Sequence, residues 1–117
     1  MKQIYCEKWS KVLGASSTLY IFSDRVKSGH VLHVKNCFGH SAQLEANDIA
    51  HIGIQNGGTK VIVRCKKCNL AGEGVSTIND FYVGEGDQVY AYFPDADTTD
   101  TIELHVTGVL MSRDEFK

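Results

Sequence analysis

The stretch Asp80–Leu110, DFYVGEGDQVYAYFPDADTTDTIELHVTGVL, decides the fold. It reads as a short strand, a tight turn and two longer strands. Gly84 and Gly86 flank Glu85 and precede Asp87, a cluster that combines backbone freedom at positive φ with a carboxylate able to bond its own backbone. Val89–Phe93 is a β-prone run that stops at Pro94, the only proline, which cannot donate to a ladder and belongs at a strand end. The polar segment Asp95–Thr101 makes a loop. Beyond it Ile102, Leu104, Val106, Gly108 and Leu110 alternate with Glu103, His105 and Thr107, which puts one face of a strand in a core and the other in water.

Outward from this stretch the same grammar repeats. Ser17–Ser23 is rich in β-branched and aromatic residues and reads as a strand; Val31–Phe38 reads as a core strand after the Ser28-Gly29 turn and ends at Gly39. A polar loop, Gly39–Asp48, leads into Ile49–Gln55, where Ala50, Ile52 and Ile54 share one face. Asn56-Gly57-Gly58 is the strongest hairpin signal, returning the chain into the strand Thr59–Arg64. Cys65–Gly74 reads as a connecting loop and Val75–Ile78 as a short strand. Residues 1–16 lack a clean period. Ile4, Cys6, Trp9, Val12 and Leu13 would line one side of a helix, but no strong cap follows. The expectation is an all-β fold: an antiparallel β-sandwich of jelly-roll type with seven to eight strands over residues 17–117, and an N-terminal arm or short helix over residues 1–16.

Composition narrows the function classes. At 117 residues the chain suits one domain. Twelve basic and fourteen acidic residues, mixed along the chain, leave a net charge of −2, so no basic surface of the kind that neutralises phosphates is expected and nucleic acid is not an expected partner. No apolar run approaches the roughly 18 residues of a membrane span, and the charged start MKQIYCEKWSKVL lacks a signal-peptide core, so a soluble protein made in a cytoplasm is expected, without a membrane partner.

The motifs with chemical potential are few. Cys65-Lys66-Lys67-Cys68 has the spacing that lets two sulfurs of a turn reach one zinc ion, with Cys6, Cys37 and five histidines available to complete the set. Surface thiols and an intersubunit disulfide are the alternatives, and no cofactor other than that zinc is expected. The histidines never fall at the i, i+4 spacing of a metalloprotease helix. Glu85 and Asp87, like Asp95, Asp97 and Asp100, coincide with turns, and turn chemistry accounts for them; the DADTTD segment lacks the spaced ligands of a calcium loop. With no nucleophile elbow, Walker loop or GxGxxG, no enzyme is expected. Tyr82, Tyr90 and Tyr92 raise an alternative, a carbohydrate- or receptor-binding sandwich module with an exposed aromatic patch. A small zinc-stabilised domain is a further one.

The phrases DFYVGEGD and TIELHVTGVL, with SGHVLHVKNCFGHSA and IGIQNGGTKV before them, resemble small jelly-roll virion proteins of tailed bacteriophages over about Ser28–Met111. That resemblance implies a non-enzymatic structural protein made in the host cytoplasm and carried in the virion. A capsid decoration protein binding the assembled lattice fits best, with a neck or tail accessory protein as the alternative. It implies major capsid or neck and tail proteins as partners and a homo-oligomer, a trimer by choice because lattices offer threefold positions. The N-terminal segment, with Ile4, Tyr5, Trp9, Val12 and Leu13, is then the expected contact with the lattice or with sister subunits.

Overall fold

The computed structural model describes residues 2–116; Met1 and Lys117, the outer bounds of the expected arm and sandwich, lie outside them. Nine strands run in chain order: β1 (Gln3–Val12), β2 (Tyr20–Phe22), β3 (His30–His40), β4 (Ile49–Asn56), β5 (Thr59–Lys67), β6 (Val75–Ser76), β7 (Phe81–Val83), β8 (Gln88–Tyr92) and β9 (Thr101–Ser112), with a last turn of helix, α1 (Arg113–Phe116). Two antiparallel sheets face each other. One has the order β1-β9-β3-β6 with β7 also on β3; the other has the order β2-β8-β4-β5. The all-β antiparallel sandwich expected from the strand pattern is the fold observed.

The deciding stretch folds as read. Ile102, Leu104 and Val106 of β9 are fully buried beside Val34 and Cys37 of the neighbouring strand β3, and Ile52, Val89 and Phe93 meet them from the opposite sheet. β9 is the spine of its sheet, paired with β1 on one side and with β3 on the other. Gly108 sits where these ladders crowd: a Cβ there would lie 2.0 Å from the carbonyl oxygen of His33, beside the irregular register between Val34 and Asn36. Asn56 pairs with Thr59 to close the two-residue hairpin, whose Gly57 takes a φ of 59°.

The N-terminal segment is the main departure. In place of an arm or short helix, Gln3–Val12 is a strand in unbroken register with β9, from Gln3 opposite Leu110 to Val12 opposite Thr101. The cause is tertiary: β9 presents ten residues of backbone donors and acceptors, and a segment rich in Ile, Tyr, Trp and Val satisfies them more completely than a short uncapped helix would satisfy its own ends. The helical stripe therefore splits between two faces. Tyr5 and Trp9 pack against the core, whereas Ile4 is 93% exposed. A second departure is that β5 continues through Cys65 to Lys67, taking the first three residues of the CKKC motif out of the expected loop. Among the described residues no helix is long and apolar enough to cross a membrane.

Candidate functional site

The most sharply charged feature is at one end of the sandwich, where the β3–β4 and β8–β9 loops meet. Each loop is tied down before it offers a side chain to solvent. Leu44 is buried and anchors the first loop, and its carbonyl oxygen accepts the Gly72 N–H at 2.6 Å. Asp48 accepts the Glu45 N–H at 2.9 Å, while the Asp48 backbone carbonyl accepts the N–H of Cys68 at 2.8 Å. In the second loop, Asp100 accepts the Asp97 N–H and Asp95 accepts the Ile49 N–H, both at 2.9 Å, so that Asp95 stitches the two loops together. Gln43 completes the junction by accepting the Thr101 N–H at 3.1 Å.

Asp48, Asp95 and Asp100 each spend one carboxylate oxygen on these bonds, and the loops leave a cleft of about 350 Å³ lined by Gln43, Glu45, Asp48, Asp95, Asp97 and Asp100. Among the described residues, five carboxylates and no cation line it. Both loops also hold a residue in the left-handed region, Asn47 with φ 77° and Thr99 with φ 78°. For Asn this is common, but for a β-branched residue it is strained, and such strain persists only where the surrounding bonds hold it. The Thr99 N–H, given to the carbonyl of Leu13 at 2.9 Å, is one of those bonds. Chemically the cleft is a rigid concave patch of negative charge suited to lysine and arginine side chains.

The turn reading of Asp95 and Asp100 holds, since both cap backbone donors. What it missed is the company they keep. Asp95 and Ile49 are 46 residues apart, and only the sandwich brings Glu45 and Asp48 beside them. Glu85 is likewise a turn residue with a structural role. It accepts the Gly29 N–H at 2.7 Å and pairs with Arg113, and these two contacts hold its carboxyl below the usual range.

Other sequence-predicted residues are dispersed. Cys65 is exposed, with its Sγ 3.8 Å from His51 Nε2, whereas Cys68 is buried and its thiol points to the Glu73 carbonyl at 3.7 Å. A separation of three along extended chain turns these two side chains to opposite faces. Cys37 is buried on β3, where desolvation pushes its thiol up to about 12, and Cys6 is exposed on β1. Among the described residues no group of three or more His, Cys, Asp or Glu side chains is placed to hold a metal ion. The tyrosines divide as well: Tyr82 is half exposed and stacks on His33, Tyr92 stacks on Tyr20 at 4.2 Å, and Tyr90 is buried against Gly53. Of the expected contact residues, Ile4 and Val12 face solvent, Tyr5 and Trp9 are half-buried, and Leu13 belongs to the core.

No protein-family model matches the chain, and no curated protein matches it. Among solved structures it is similar to the core of Drosophila NLP, whose crystal structure was described for its insight into pentamer formation and histone binding. The two share 12% identity with a TM-score of 0.51, over 94% of this chain and 100% of that one. At that identity the likeness establishes the fold.

The finding overturns the phage reading. The likeness is to a Drosophila protein with no tie to a virion, so the tailed-phage resemblance, the decoration, neck or tail role and the virion location all fall. The trimer on a capsid lattice and the capsid partners fall with them, because the neighbour is discussed as a pentamer that binds histones. So does the exclusion of anything connected with nucleic acid, since histones are the proteins of a nucleoprotein. The physical reason is plain: glycine-marked turns and a closing alternating strand are punctuation common to antiparallel sandwiches and carry no information about what the sandwich binds.

Proposed function

We propose that this chain is a non-enzymatic, self-assembling β-sandwich that binds basic proteins, histones first among them, through the acidic cleft at its loop end. The observation that carries the reading is the meeting of Glu45, Asp48, Asp95, Asp97 and Asp100 around one cleft, with no cation lining it among the described residues. A patch of this kind gathers positively charged segments at long range and holds them by charge-assisted hydrogen bonds. The NLP-like fold supports it, because a sandwich of this shape covering the whole neighbour is described as a pentamer core that binds histones.

Self-association belongs to the same reading and falls to the β1 edge of the five-stranded sheet. Ile4 and Val12 project from it with 93% and 69% of their surface exposed, and Tyr5 and Trp9 sit beside them. A ring of five copies buries this edge and sets five acidic clefts in one assembly, so that weak single contacts add through their effective concentration.

The test combines sedimentation with binding to purified core histones at low and moderate salt. The expected result is a five-copy assembly whose affinity falls steeply with salt and drops at least about tenfold in Glu45→Gln/Asp97→Asn, a pair of carboxylates that the loop-closing bonds leave unused. A monomer with no affinity for histones at low salt defeats the reading.

A further inference from the structure

The four-stranded sheet ends at β5, and the side of that strand away from β4 has no strand beside it among the described residues. Such an edge is ordinarily blunted by charge or shortness. Here it is nine residues long and apolar at its centre: Val61, Ile62 and Val63 are all exposed, Ile62 by 56%. Ile62 and Arg64 lie on opposite faces of the strand, with Val63 the extra residue of a bulge between them, since Ile62 pairs with Gly53 and Arg64 with Ile52.

Below this edge, on the open side of the sandwich, Val63 and Arg64 form a cleft of about 160 Å³ with Ile78, Asn79, Asp80 and Phe81. Ile78 is 75% exposed at its mouth. The Arg64 Nε–H is closed off from solvent without a hydrogen-bond acceptor among the described residues. Asp80, the carboxylate that lines the cleft among the described residues, is already engaged with His33 at 3.1 Å and with Lys35 at 3.6 Å. A buried guanidinium donor left unpaired is costly, and a carboxylate satisfies it best.

Charge selects the occupant. From Thr59 to Lys67 the strand carries Lys60, Arg64, Lys66 and Lys67 and no acidic residue. Two copies of β5 laid edge to edge would oppose cations to cations, which disfavours self-pairing. We infer that the β5 edge is a docking site for an extended acidic and apolar peptide strand, which adds to the four-stranded sheet and places a carboxylate against Arg64 over the Val63–Ile78 cleft. The ladder supplies register-independent affinity, and Arg64 supplies the preference for acid. This site is separate from the acidic cleft and stands or falls without it.

The experiment uses two labelled peptides of about eight residues, one alternating valine with glutamate and one alternating valine with lysine, with binding followed by fluorescence anisotropy and by backbone amide shifts of the full chain. The glutamate peptide is expected to bind, to shift amides within 59–67, and to bind at least about tenfold more tightly than the lysine peptide. Arg64→Gln should weaken it by a similar factor while leaving the far-ultraviolet circular dichroism unchanged; Arg64→Met, which keeps the length of the side chain without its charge, serves as the second variant should Arg64→Gln fail to fold. Equal binding of both peptides, shifts confined to other strands, or indifference to both substitutions overturns the proposal. So does an assembly of the protein itself that Ile62→Glu dissolves, which would place a second copy on this edge.

Discussion

At the residue scale, single side chains show how strain, burial and charge are distributed. Thr99 holds a left-handed backbone that glycine adopts without penalty, so Thr99→Gly should stabilise the protein by about 1 kcal/mol in urea unfolding, the relief of strain exceeding the added freedom of the unfolded chain. The cysteines divide by burial: at mildly alkaline pH iodoacetamide should modify Cys6 and Cys65 in the native protein, while Cys37 and Cys68 should react only after denaturation, as read by mass spectrometry. Glu103 accepts a hydrogen bond from His105 at 3.1 Å, and that bond, with Lys8 and His40 nearby, holds its carboxyl below its ordinary value of 4.5. A depressed folded-state value means that this contribution is complete above 4.5 and is lost as pH falls through the folded value. The stability gap between wild type and Glu103→Gln should accordingly be widest at neutral pH and close on acidification, which urea titrations from neutral to strongly acidic pH would show. Of these three features only the presence of cysteines is legible in the sequence, because left-handed φ at a threonine, burial and cross-strand partners are all set by neighbours remote in the chain.

Among the elements, β9 organises its sheet and β1 completes it. Alternation along Ile102–Leu110 is enough to assign β9 and its inward face. Leu104→Ala should cost about 3 kcal/mol by leaving a cavity between the sheets. Gly108→Ala should cost about 3 kcal/mol for the opposite reason, since its Cβ would press on the His33 carbonyl where three strands meet. Both are read from the shift in urea midpoint at constant slope. β1 does not show itself as a strand in the sequence, because an edge strand with only one packed face, interrupted by Glu7 and Lys8, has little period of its own. Its strand character comes from the unpaired edge of β9. β5 runs longer than its sequence pattern suggests for a related reason: the CKKC motif has the look of a loop, but Cys65 lies opposite His51 and Lys67 opposite Ile49, which keep the ladder going.

For the molecule as a whole, loops and edges matter more than the core. The sandwich puts an acidic cleft at one end, a solvent-facing apolar edge at β1 and a basic apolar edge at β5, and the proposed binding and assembly roles use these three places. Ile4→Glu should therefore convert the assembly to monomers without loss of β-sheet circular dichroism; an unchanged sedimentation coefficient would remove β1 from the interface. From the sequence alone came the all-β class, most strands, the hairpin at Asn56–Thr59 and the inward residues of β9, because alternation and turn chemistry are local and act within a few residues. Only the tertiary structure decided that Glu45 and Asp48 share a cleft with Asp95, Asp97 and Asp100, that Cys65 and Cys68 part company, and that the Arg64 Nε–H is left without an acceptor among the described residues. Those relations join segments dozens of residues apart, and no local pattern encodes which loops two packed sheets will bring together.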